Sequence, residues 1–206
     1  MFRHLVPAVR ATISIALLTG IAFPISVTLL STVFFNEQGK GSLIRNSTGE
    51  VIGSSLIGQA FSRPEYFHPR PSAAGSGYAG ESSAGSNLGP TSRKLFEGQK
   101  DDPSTAVNES FDGVKQLSEA YRVENRLSAS EKVPVDAVSR SASGLDPHIS
   151  FANALFQSRR VSEFRKVPIE KIRALVESHL EGRQLGFIGE PRINVLQLNL
   201  ALDQAR

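Results

Sequence analysis

Between Ala11 and Phe35 the chain reads ATISIALLTGIAFPISVTLLSTVFF, without one charged residue. A run of about 25 residues makes a helix of about 37 Å, enough to cross a hydrocarbon layer about 30 Å thick. Gly20 and Pro24 lie inside it, and membrane helices tolerate both better than soluble ones do. Pro24 lacks the N–H that would bond back to Gly20, so a kink is predicted there. A cleaved signal peptide would have a shorter apolar core and a small-x-small site after it. The run is too long for that, and Asn36, Glu37 and Gln38 follow it. Nothing on it supplies the polar face of a surface helix. Arg3 and Arg10 precede the run, while Glu37 and Lys40 nearly cancel after it. The excess of positive charge expected on cytoplasmic flanks then places residues 1–10 inside, residues 11–35 across the bilayer and residues 36–206 outside.

Beyond the anchor the pattern changes repeatedly. GSLIRNSTGEVIGSSLIG predicts a β-hairpin, with Leu43 and Ile44 on one arm, Val51 and Ile52 on the other, and Asn46 to Gly49 as the turn. From Phe61 to Pro90 the chain turns to Gly, Ser and Pro with few aliphatics, which predicts a long surface loop. Glu97 to Asp112 is polar and predicts a solvated insertion. Val114, Leu117, Ala120 and Tyr121 recur at helical spacing and predict a helix within Phe111 to Asn125. Asp146 and Pro147 fit a helix start, and the helix after them carries Phe151, Ala154, Leu155 and Val161. From Pro168, Ile169, Ile172, Leu175, Val176 and Leu180 form one stripe, with Gly182 as C-cap. Leu196, Leu198, Leu200 and Leu202 alternate with Gln197, Asn199, Ala201 and Asp203, which predicts a half-buried closing strand. The fold class expected is α+β: one transmembrane helix, then one soluble domain with a small sheet and packed helices.

Composition narrows the chemistry. Hydrophobic residues make up 40% of the 206 and charged residues 21%, as in ordinary folded chains. The net charge of +3 comes without a dense basic run, which argues against nucleic acid. The chain has no cysteine, so disulfides, zinc-thiolate sites and thiol nucleophiles are excluded. The glycine-rich SAAGSGYAGESSAGSNLGP invites a phosphate, but no Gly-Lys-Ser/Thr run leads into a helix, as a P-loop requires. Asp146 and His148 flank a proline; a metal needs more ligands, and His4, His68 and His179 form no i, i+4 pair. No G-x-S-x-G elbow occurs, and the Asp-Lys-Thr-Gly-Thr phosphorylation motif of P-type ATPases is absent. One membrane helix cannot enclose an ion pathway. Residue chemistry alone therefore leads to a non-catalytic anchored domain, with an independent nucleotide binder and an extracytoplasmic binding domain unrelated to transport still open.

One set of segments goes further. GQAFSRPEYFHPRPSA (Gly58 to Ala73), SNLGPT (Ser86 to Thr91), SGLDPHIS (Ser143 to Ser150), ALFQSRRV (Ala154 to Val161) and LGFIGEPRINVLQLNLALD (Leu185 to Asp203) occur in this order behind a single helix. The series resembles the C subunit of bacterial Kdp potassium-transporting ATPases over nearly the whole chain. The resemblance implies an accessory subunit in the bacterial cytoplasmic (inner) membrane. Its implied partners are a channel-like potassium-binding subunit, a P-type ATP-hydrolysing subunit and a small peptide subunit. It implies no catalytic residue and no metal or tightly bound cofactor. It also implies a role as catalytic chaperone, raising ATP affinity through a transient ternary complex in which Gln157 contacts the nucleotide. Partner-contact residues implied by the same motifs are Arg70, Pro71, Ser72, Asn87, Leu88, Gly89, Asp146 and His148. The chain departs from the family pattern at Ala84 and Ala142, where glycine is expected, and at Phe151, where proline is. Alanine restricts backbone angles that glycine allows, so a phosphate-cradling loop is disfavoured there. ATP is cytoplasmic whereas the flanks place the domain outside, which argues against a simple version of that role. An outside domain can still favour ATP binding indirectly, through the pump's conformational equilibrium, and both routes stay open.

Overall fold

A computed structural model describes residues 2–101 and 110–205. It divides into two compact units, Met1–Ile52 and Gly53–Arg206.

The first unit is the apolar N-terminal helix and the start of the hairpin. Leu5–Phe34 is one continuous helix of 30 residues, and an 18-residue stretch of it has mean hydropathy 2.2, so by length and composition it is able to cross a membrane. It comprises α1 (Leu5–Leu17), a π turn (Leu18–Ala22) and α2 (Phe23–Phe34). The π turn is how the helix meets Pro24: the N–H of Phe23 bonds to the carbonyl of Leu18, one residue further back than in an α-helix. Thr19 and Ser26 return their hydroxyls to the carbonyls of Ile15 and Ala22, so these polar groups add no unpaired donor to the apolar surface. A short turn of helix, α3 (Asn36–Gly39), follows. The hairpin forms as expected from β1 (Leu43–Arg45) and β2 (Val51–Ser54). Asn46 makes its turn, its side-chain oxygen accepting from the N–H groups of Thr48 and Glu50.

The second unit is α+β. Helix α4 (Arg93–Glu97) precedes the polar insertion, whose residues 102–109 lie outside the described residues. Gln99 and Phe111 close the base of that insertion as an antiparallel bridge, exchanging two hydrogen bonds of 2.8 Å. Helix α5 (Val114–Asn125) falls within the predicted bounds and packs Tyr121 against Ala137 and Val138 of the short α6 (Val135–Val138). A three-stranded antiparallel sheet has the order β3 (His148–Ser150), β5 (Arg192–Asn194), β4 (Leu180–Glu181). Ile149 lies opposite Ile193, and Leu180 opposite Ile193 on the other side. Helices α7 (Phe151–Arg165), α8 (Ile169–Ser178) and α9 (Val195–Gln204) cover this sheet. Their core holds Phe67, Ile149, Val161, Ile172, Val176, Ile193, Leu198 and Leu202, all nearly or fully buried. A fully buried leucine such as Leu198 contributes about 2 kcal/mol.

Four expectations are corrected. The alternating leucines form α9, not a strand. Val195, Leu198, Asn199 and Leu202 are buried at helical spacing, and Asn194 caps the helix by accepting from the N–H of Gln197 at 3.1 Å. With leucine at every second position, a period of two and a period near 3.6 cannot be told apart, and the cap decides. Asp146 and Pro147 do not start a helix but lead into β3; α7 starts at Phe151, capped by Ser150, whose hydroxyl accepts from the N–H of Asn153 at 3.1 Å. Helix α8 ends at Ser178, so Leu180 and Gly182 belong to the sheet edge and the loop after it. The stretch from Phe61 to Pro90 lacks helix and strand, yet it is not simply a surface loop: Phe67 and Ala74 are wholly buried.

Candidate functional site

A loop through a protein interior must find partners for its backbone groups, because a buried N–H or C=O left unpaired costs as much as a lost hydrogen bond. Here side chains from two helices supply them. Asn199 of α9 accepts from the N–H of Phe67 and donates to its carbonyl, both at 2.9 Å. Gln157 of α7 treats the next residue the same way, accepting from the N–H of His68 at 2.7 Å and donating to its carbonyl at 3.0 Å. Two carboxamides thus take the place of a neighbouring strand. Arg160, only 3% exposed, donates to the carbonyls of Pro64 and Tyr66, and Arg165 to that of Glu65.

Gln157 is saturated. Besides His68, its oxygen accepts from Arg160 at 2.8 Å and its nitrogen donates to Asn153 at 2.9 Å, so both lone pairs and both protons are used. It is 1% exposed and stands at the inner wall of a cleft of about 250 Å³ that Pro69, Pro71, Leu117, Ala120 and Tyr121 also line. The network continues inward. The Tyr121 hydroxyl donates to Asn153 at 2.8 Å, and Asp136 accepts from Asn153 and from both the N–H and hydroxyl of Ser150. Burial raises the pKa of the Tyr121 phenol and lowers that of the Arg160 guanidinium, against the opposing pull of Glu124. Burial also acts to raise Glu124, but the His68 hydrogen bond at 2.6 Å, with the nearby His68 and Arg160 charges, holds its carboxyl below the usual range.

The second half of the loop is held by the 139–148 segment. Arg70 reaches Asp146 at 2.8 Å and the carbonyl of Ser139. Ser72 donates to the carbonyl of Gly144 at 2.6 Å and accepts from the N–H groups of Ala74 and Tyr78. The phenol of Tyr78 donates to the carbonyl of Arg70, and its burial raises its pKa. Gly144 has no room for a side chain: φ is +67°, and a Cβ would stand 2.5 Å from the carbonyl oxygen of Ala84. Burial also pushes the pKa of Asp146 up, but hydrogen bonds from the ring and backbone of His148 and from Arg70 outweigh it and bring it down to about 2. His148 lies 3.5 Å from Asp146 and 3.6 Å from Glu181, which pairs with Arg192.

Of the residues singled out from sequence, the structure brings Arg70, Asp146 and His148 into one charged cluster, with Ser72 tying the same two segments together. Pro71 and Gln157 line the cleft. Asn87, in the left-handed region at φ 53°, and Gly89 lie exposed further along, with Leu88 half-buried. Sequence reasoning missed Asn199, Asn153, Arg160, Tyr121 and Asp136. One signal was available: Asn153, Gln157 and Arg160 recur at helical spacing, a pattern that ordinarily marks a solvated face and here faces the buried loop. Among the described residues no three His, Asp or Glu side chains are placed to hold a metal ion. The arrangement fixes a shape; its polar groups are spent on the chain itself.

Residues 5–204 match the family described as KdpC, K+-transporting ATPase, c chain. Proteins named "Potassium-transporting ATPase KdpC subunit" from Mycobacterium tuberculosis and Caulobacter vibrioides are each 46% identical to the chain. The first aligns over 99% of this chain and 100% of its own length, the second over 98% and 94%. One from Koribacter versatilis is 44% identical over 98% of this chain and 95% of its own. With residues 5–204 matched by the family and nearly all of its length aligned to these relatives, the chain belongs to the KdpC family, the c chain of K+-transporting ATPases.

Proposed function

We propose that this chain is a non-catalytic subunit of a high-affinity, ATP-driven potassium-uptake complex in the bacterial cytoplasmic membrane. It assembles and stabilises the channel-like potassium-binding subunit, the P-type ATP-hydrolysing subunit and a small peptide subunit. The observation that carries the reading is the family match along residues 5–204. The basic flank of Arg3 and Arg10 supports an inside N-terminus and an outside domain.

The chain raises the ATP affinity of the hydrolysing subunit as a conformational effector, not as a nucleotide ligand. Support comes from Gln157, whose four hydrogen-bonding positions are all occupied within the chain, and from the basic flank of Arg3 and Arg10, which favours a domain facing away from cytoplasmic ATP. An effector of this kind works by binding one state of its partner more tightly than another.

The test is a complex purified with and without the chain. Removing it is expected to abolish potassium-stimulated ATP hydrolysis and to raise the ATP concentration needed for half-saturation in any residual activity. Full activity and unchanged ATP dependence without it would sink the reading. Protease added to intact spheroplasts is expected to cut the 53–206 unit; full protection reverses the orientation. Heat released on titrating ATP into the isolated chain would replace the effector account with direct binding.

A further inference from the structure

The connection between β4 and β5 exposes three apolar side chains in four residues: Leu185 at 83%, Phe187 at 70% and Ile188 at 48%. They are not on a loose loop. Gln184 and Ile188 exchange two backbone hydrogen bonds of 2.9 Å, and the N–H groups of Gly186 and Phe187 close the turn onto Arg183 and Gln184. Beneath the tip, Arg183 donates to both carboxylate oxygens of Glu190, at 2.9 and 2.7 Å. Leu185 itself is held in the left-handed region at φ 53°, a conformation that leucine adopts rarely and at a cost.

We propose that this tip is a preformed knob that seats in an apolar recess on another protein subunit of the potassium-transporting complex; the inference rests on the function proposed above. Charge argues for a protein socket over the bilayer surface. A loop that settles on anionic headgroups keeps its basic residues free, whereas both arginines beside this tip are neutralised, Arg183 by Glu190 and Arg192 by Glu181. An apolar centre ringed by paired charges has the anatomy of a hot spot with a polar rim. Size argues for a partner in the same membrane. Three side chains, even largely exposed, cover far less than the ~800 Å² per partner of a stable interface. A knob that small holds a partner well only at high effective concentration, which a shared membrane supplies through the Leu5–Phe34 helix. The rigid turn lowers the ordering cost of docking further.

The test uses the full-length chain expressed with the rest of its complex. A photo-crosslinking benzoylphenylalanine at position 187 is expected to yield one discrete adduct with another subunit. The double substitution Leu185→Ala/Phe187→Ala is expected to lower recovery of the other subunits on the tagged chain by about tenfold or more. Its thermal midpoint should stay within about 2 °C of the parent, because both side chains are exposed. Val123→Ala, which trims an equally exposed residue on α5, should leave recovery unchanged. Wild-type recovery with the double variant, or adducts with phospholipid alone, would overturn the knob while leaving the proposed function standing. If the wild-type chain itself recovers no other subunit, the functional reading fails and the knob with it.

Discussion

Replacing Asn199 with leucine removes two hydrogen bonds and leaves the N–H and C=O of Phe67 without partners in a fully buried position. Each orphaned backbone group costs about 1–3 kcal/mol. Leucine shares asparagine's branching but is bulkier, so the about 1 kcal/mol it returns by burying more apolar surface is an upper limit that overpacking reduces. The net expectation is a loss of about 1–5 kcal/mol, a large share of the 5–15 kcal/mol that stabilises a typical domain. The loss should also be local, because the loop can lift from α9 while the sheet and the α7–α8 pair persist. At about 1.4 kcal/mol per decade, amide exchange in residues 61–70 should accelerate roughly 5- to 4,000-fold. Hydrogen exchange read by mass spectrometry on the detergent-solubilised full chain measures this, with the 169–178 helix as internal reference. Asn199 does not line the cleft beside Gln157. Asn199→Leu and Gln157→Leu should therefore raise the ATP requirement of the complex in parallel if Gln157 acts by holding the loop. An exchange rate within threefold of the parent would refute the pinning argument, and an effect on ATP confined to Gln157→Leu would refute the indirect role.

Other expectations follow from single contacts. Asp146 has a depressed pKa of about 2 against an ordinary 3.8, so its stabilisation is present above pH 4 and is lost as pH falls towards 2. Its side chain is 28% exposed, so the effect is about 1–2 kcal/mol after allowing for solvent screening. Asp146→Asn should flatten the acid limb of a stability–pH curve between pH 4 and 2, and an unchanged limb would contradict the ion-pair assignment. Gly144→Ala meets a carbonyl oxygen at 2.5 Å and a positive φ. It should cost about 2 kcal/mol or more in urea unfolding, whereas Gly80→Ala, with open space around it, should change little. Arg160→Met leaves the carbonyls of Pro64 and Tyr66 unpaired and should destabilise by about 2–4 kcal/mol; a midpoint equal to the parent's would refute the clamp.

What could be read along the chain was whatever rests on local periodicity or local turn chemistry. The anchor is legible because an uninterrupted apolar run has few alternatives, and the hairpin because Asn46 to Gly49 can turn and the flanking residues cannot. Helix α8 is legible for its amphipathic stripe, although the stripe runs on to Leu180, past the helix end at Ser178. The α+β class and the resemblance that led to the family also came from sequence.

Tertiary structure decided everything that depends on what lies opposite. Whether the leucines after Asn194 make a strand or a helix turns on a cap and on a core with room for Val195, Leu198 and Leu202 on one face. Whether the 61–90 stretch floats or threads the interior turns on Asn199, Gln157 and Arg160, which lie about 90 to 130 residues away in sequence. A carboxamide or a guanidinium carries the same formula on a solvated face as in a buried clamp. Its environment alone sets whether its hydrogen bonds are open to a ligand or closed within the fold, and here it closed those of Gln157.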